Sequence, residues 1–231
     1  MFYGPMMFWD PTFILVIIGM VLSMLASSYV NSTFRKYSEY TNKRGYTGTE
    51  VAQQILRISQ IQGVAVQQIS GDLTDNYNSH TKILSLSQAT ANETSVAAIG
   101  VAAHECGHAV QDEVNYMPLK LRAAIVPLAN FGSTISIPLI LIGAFFGQIF
   151  ITAGIICFSF AFLFQLVTLP VEFNASRRAL KILSDNQILD DQELVMARKV
   201  LTAAALTYVA SAITVLLQLL RLIMIFGNRR D

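Results

Sequence analysis

Four long apolar runs, at residues 13–30, 123–146, 149–169 and 203–226, divide the chain into lipid-length and polar stretches. Each run is about 18 residues or more, enough for a helix to cross a bilayer core. Pro127 and Pro138 mark potential kinks in the second. Gly147-Gln148 leaves room only for a tight turn between the second and third, so these two form a hairpin. Arg221 is the only charge inside a span, close enough to its end to snorkel. No basic segment precedes the first run and no clean small-residue cleavage site follows it, so it reads as a retained anchor, with Tyr3 and Trp9 at the interface.

Residues 31–122 follow other periods. Thr47-Gly48-Thr49-Glu50 is a helix start, followed by Val51, Ile55, Ile58 and Ile61 at helical spacing, with Gly63 as the expected stop. Residues 64–69 suit a strand, Gly71-Asp72 a turn, and Lys82-Ile83-Leu84-Ser85-Leu86-Ser87 alternates as a second strand. That second strand is either an edge able to take an extended peptide or half of a covering hairpin. From about residue 94 to 115 an alanine-rich, proline-free stretch predicts a helix capped by Asn92 or Thr94. Residues 170–202 are polar again. The expected fold is a mainly α integral membrane protein: about four transmembrane helices and a small α+β lobe, in a single domain spanning 1–231.

The 94–115 helix carries the chemistry. His104-Glu105-Cys106-Gly107-His108 is an H-E-x-x-H sequence, and on a helix its two histidines project from one face, one turn apart. Glu105 lies about 100° round from His104, beside the open side of a shared ion, where it can take a proton from water. The neighbouring residues are apolar, which makes two unpartnered histidines costly and a shared zinc the better reading. Catalytic zinc needs a third protein ligand. The 123–169 hairpin must return to the side from which it left, which brings Glu172 to the face holding His104 and His108, with Pro170 able to aim it. His80, in a polar loop, is the rival. Asp112 lies too far along the same straight helix, and Glu113 points elsewhere. Arg178 and Tyr77 are candidate oxyanion donors. Cys106 faces away from the histidines and reads as packing.

Composition narrows the setting. Of 231 residues, 53% are hydrophobic and 13% charged, too apolar for an ordinary soluble globule. A net charge of +1 gives no reason to expect nucleic acid. Two cysteines in separate apolar stretches imply no disulfide framework, and three histidines are too few for a multi-histidine di-iron membrane enzyme. The 31–122 segment carries eight Lys/Arg and the 171–202 segment five, against none in the first ten residues or the hairpin turn. The positive-inside rule therefore puts both polar segments in the cytosol, outweighing Arg229 and Arg230 at the other end of the chain.

With HECGHAVQ and LPVEFNASRRALKIL in hand, the chain resembles the YugP-type neutral zinc metallopeptidases of bacterial membranes, relatives of the HtpX-like gluzincin class. The resemblance runs over nearly the whole length. It implies a zincin-like lobe and one zinc per chain held by His104, His108 and Glu172. It also implies Glu105 as the base for hydrolysis of a peptide or membrane-protein substrate, at the bacterial cell membrane. A non-catalytic zinc-binding scaffold is the alternative. Two departures stand out. A D-H-Y-D-P-like segment is replaced by Asp75-Asn76-Tyr77-Asn78-Ser79, with His80 next in line. The aspartate expected four residues after the ligand glutamate is Ser176, so the histidines must be oriented in another way, with Asn174 a candidate.

Overall fold

The computed structural model describes residues 10–227; Tyr3, Trp9, Arg229 and Arg230 lie outside them. The protein is a mainly helical membrane protein with a small α+β part. Its elements run α1 (Phe13–Ser38), α2 (Gly48–Ile58), β1 (Ala65–Ile69), β2 (Asn76–Asn78), β3 (Ile83–Ser87), α3 (Gln88–Ala91), α4 (Val96–Glu113), α5 (Met117–Phe146), α6 (Gln148–Asp185) and α7 (Asp191–Phe226). Contacts divide the described chain into two compact units. One takes residues 10–27, 120–169 and 207–227; the other takes 28–119 and 170–206.

The first unit holds the apolar reaches of α1, α5, α6 and α7, all four long and apolar enough to cross a membrane. Its surface is what lipid requires: Phe145, Phe146, Ile149 and Met24 stand well exposed. Pro127 and Pro138 lie inside α5 without ending it. Gly147 turns the hairpin at φ +115°, a conformation that disfavours any side chain. Arg221 does not simply reach outward. Its guanidinium sits 3.4 Å from Asp10 and 5.6 Å from the Phe13 ring centroid, because a carboxylate is available at the start of α1.

The second unit is built round α4. Thirteen of its 18 residues are buried, and its small side chains let α2, the sheet, α6 and α7 share one core. The helix is capped by Ser95, whose Oγ accepts from the Ala98 amide at 3.2 Å. Asn92 and Thr94 are not the cap: Asn92 closes α3, and the Thr94 carbonyl accepts from Asn42. Helix α2 begins as expected, with Thr47 and Glu50 capping each other reciprocally. It ends five residues before Gly63. Gln60 takes the left-handed conformation (φ 57°), the Ile61 amide reaches the Leu56 carbonyl and the Gln60 amide that of Arg57. This double bond pattern closes a helix without glycine.

The sheet order is β1-β3-β2, with β1 parallel and β2 antiparallel to β3. The KILSLS strand is therefore central and no edge; it does form one arm of a hairpin, with the three-residue β2, which was not expected. Its alternation misleads because the polar positions are buried with partners: Ser85 accepts from Gln67 Nε2, and Ser87 binds Asp75 through both its amide and its hydroxyl. Residues 170–202 are helical for most of their length. Helix α6 runs on through Pro170 to Asp185, and α7 starts at Asp191.

Candidate metal centre

Helices α4 and α6 approach closely at Gly107. A Cβ there would lie 2.5 Å from the Ala175 carbonyl oxygen, so only glycine lets the two backbones meet. This contact lies between the two histidines on one helix and three residues beyond Glu172 on the other. Glu172 Oε2 stands 3.2 Å from His104 Nε2 and 3.5 Å from His108 Nε2. The imidazoles are edge to face with centroids 4.8 Å apart, and one donor atom from each of the three residues falls within 4.8 Å of the others.

These separations suit zinc. Two donors bound at about 2.0–2.2 Å to a tetrahedral ion lie roughly 3.3–3.5 Å apart, close to both carboxylate–imidazole distances. Two nitrogens and one carboxylate oxygen are also ligand types that zinc prefers, and three protein donors leave one position open. Glu172 is 2% exposed, so its negative charge is held by these imidazoles in a site nearly closed to solvent.

Glu105 is buried beside the group. Burial pushes its carboxyl above the usual carboxylate range, opposed by the nearby positive charge of His104 and His108 and helped by the negative charges of Glu172 and Asp75. For His108, burial disfavours the charged form, but the Glu172 hydrogen bond and the two glutamate charges outweigh it and raise its pKa.

The ring nitrogens facing away from Glu172 are also engaged. His104 Nδ1 meets the Ser176 hydroxyl at 3.1 Å, so the serine standing where relatives were expected to carry aspartate does orient a histidine. His108 Nδ1 lies 3.0 Å from Gln111 Oε1. Gln111 had no place in the sequence reading, although its spacing three residues after His108 puts both on one helix face. Asn174 lies one bond further out, accepting from Gln111 Nε2 at 3.0 Å and Arg178 Nε at 2.8 Å.

The other expected contacts lie elsewhere. Tyr77 donates to Asp112 at 2.7 Å, and its phenol is held well above its ordinary pKa by burial and by this bond. Lys82 pairs with the same carboxylate at 2.6 Å. Arg178 is committed to Asn174 and lies 5.9 Å from the Tyr116 ring centroid. His80 is exposed in the β2–β3 connection and is not among the grouped donors. Cys106 turns away, its thiol 3.6 Å from the Ala52 carbonyl.

Comparison with known proteins places the chain in a family. The family model described as "Putative neutral zinc metallopeptidase" matches residues 12–227. A Bacillus subtilis (strain 168) protein named "Putative membrane protease YugP" is 44% identical over 218 residues, covering 94% of this chain and 97% of its own. No solved structure matches. The match takes in all but the ends of the sequence, and the chain belongs to this zinc metallopeptidase family.

Proposed function

We propose that the protein is a membrane-bound zinc endopeptidase in which His104, His108 and Glu172 hold one zinc ion and Glu105 is the general base. The observation that carries this reading is the His104–His108–Glu172 grouping, with the carboxylate at tetrahedral-edge separations from both imidazoles. The family description and the relative's name support the protease class. Zinc bound there would supply a Lewis acid that acidifies water and polarises a peptide carbonyl. Glu105 takes the proton of the attacking water and returns it to the leaving amine. Its burial serves that task, because a carboxylate moved toward neutral pH is a stronger base than an exposed one. Glu172 offsets the charge of the site, while Ser176 and Gln111 restrain the two rings.

The alternative, a non-catalytic zinc scaffold, would need a closed set of four protein ligands. Among the described residues only three donors are grouped. The substrate is a peptide or a membrane protein, with the site on the cytosolic side; the Lys/Arg balance of residues 31–122 and 171–202 supports that side. Glu105→Gln should keep zinc and lose cleavage of a peptide substrate, whereas His104→Ala loses both. Cleavage retained in Glu105→Gln would refute the mechanism. Labelling of single cysteines introduced at residues 40–90 should occur only from the cytosolic face, and labelling from outside reverses the assigned side.

A further inference from the structure

Behind His108 runs a chain of hydrogen bonds whose direction is set by its far end. Arg178 Nε lies 2.8 Å from an Asn174 amide atom, and because a guanidinium only donates, that atom is the oxygen. Gln111 places one amide atom 3.0 Å from this oxygen and 2.8 Å from the Val171 carbonyl oxygen. Both of those only accept, so the Gln111 atom facing them is its nitrogen. The Gln111 oxygen is thereby turned to His108 Nδ1, 3.0 Å away. An acceptor at that place requires a proton on Nδ1. We infer that Arg178, Asn174 and Gln111 form a polarity relay that fixes His108 as its Nδ1–H form and leaves Nε2 to bind the metal.

Two features strengthen the relay. Gln111 is 0% exposed, so water cannot stand in for either of its partners. Turning its amide over would set oxygen against two oxygens while leaving two donors face to face at His108. The relay also joins α4, which carries Gln111, to α6, which carries Val171, Asn174 and Arg178. One network thus sets the ring and ties together the helices that deliver the three metal donors. His104 is held differently. Its Nδ1 faces the Ser176 hydroxyl, which can donate or accept and therefore selects neither form. Gln111, Asn174 and Arg178 are positioning residues that act through His108, and this inference rests on the zinc reading above.

The full-length protein in detergent, with ring-15N-labelled histidine, tests it. Three histidines make the spectrum assignable. In the zinc-loaded wild type, His108 should carry its proton on Nδ1 and bind through Nε2. Gln111→Met should weaken zinc about 10–100-fold in chelator competition. Gln111→Glu should weaken it too, although its carboxylate can still accept from the imidazole, because its second oxygen faces Val171 and Asn174. If neither Gln111 variant folds, the wild-type spectrum decides alone. Metal bound through His108 Nδ1, or wild-type zinc affinity in Gln111→Glu, overturns the relay while leaving the zinc site standing. A wild type that takes no zinc removes both.

Discussion

Gly107→Ala adds one methyl group at a close backbone approach between the helices that carry the proposed ligands. The new Cβ would stand 2.5 Å from the Ala175 carbonyl oxygen, 3.0 Å from its carbon and 3.2 Å from its Cα. Ordinary contact begins at 3.4 Å, so the oxygen is about 0.9 Å too close. All three atoms are backbone, and no rotamer relieves the clash. Helix α6 must retreat by most of that distance, whereas metal–ligand bonds tolerate only about 0.2 Å. Glu172, one turn before Ala175, moves with it. Overpacking of this kind costs about 1–3 kcal/mol, and loss of the carboxylate should reduce zinc affinity by at least about 100-fold, the upper end for losing a mere orienting partner. Gly100→Ala is the control on the same helix. Its Cβ meets the Ala197 methyl at 3.5 Å, an ordinary contact, so it should be tolerated and gain up to about 1 kcal/mol in helix propensity. Chelator competition and thermal unfolding with and without zinc read both variants. Wild-type zinc affinity and unfolding temperature in Gly107→Ala would refute the claim that this approach sets the site.

The remaining expectations concern separate parts of the fold. Thr47→Ala removes the reciprocal cap of α2 and should cost about 1 kcal/mol in unfolding experiments, with zinc affinity unchanged. Tyr77→Phe should lower stability by about 1 kcal/mol through the lost Asp112 bond. It should leave kcat nearly intact, whereas loss of a true oxyanion donor costs about 10²–10³ in rate. Asp190 is held below its ordinary pKa of 3.8 first by the Lys43 hydrogen bond and then by the Glu193 amide. For a carboxylate with a depressed native pKa, the stabilisation is complete above the unfolded value and is lost as pH falls through the folded one. Asp190→Asn should therefore flatten the acid limb of unfolding temperature against pH below about pH 4.

Much of the site was legible because its signals are local or topological. His104 and His108 follow from one helical turn, and Glu172 from a hairpin that must return to the side it left. The Thr47–Glu50 cap and the Gly147 turn are equally local. What escaped depends on partners distant in sequence. Ser85 and Ser87 look like solvent positions until Gln67 and Asp75 are seen to satisfy them, which is why the central place of this strand was not legible. The 149–169 run ends at Pro170 by hydropathy, yet α6 continues through it to Asp185. Gln111 carries no periodic signal of its own. Its role appears only when Val171 and Asn174 are brought beside it by the Gly107–Ala175 approach.

On the proposed reading, two imidazoles and the Glu172 carboxylate hold a single ion. Metal analysis of the purified, exhaustively dialysed protein tests it most directly, comparing wild type with His104→Ala, His108→Ala and Glu172→Ala. One zinc per chain in the wild type, and near none in each folded variant, is the predicted result. Undiminished zinc in Glu172→Ala would contradict it.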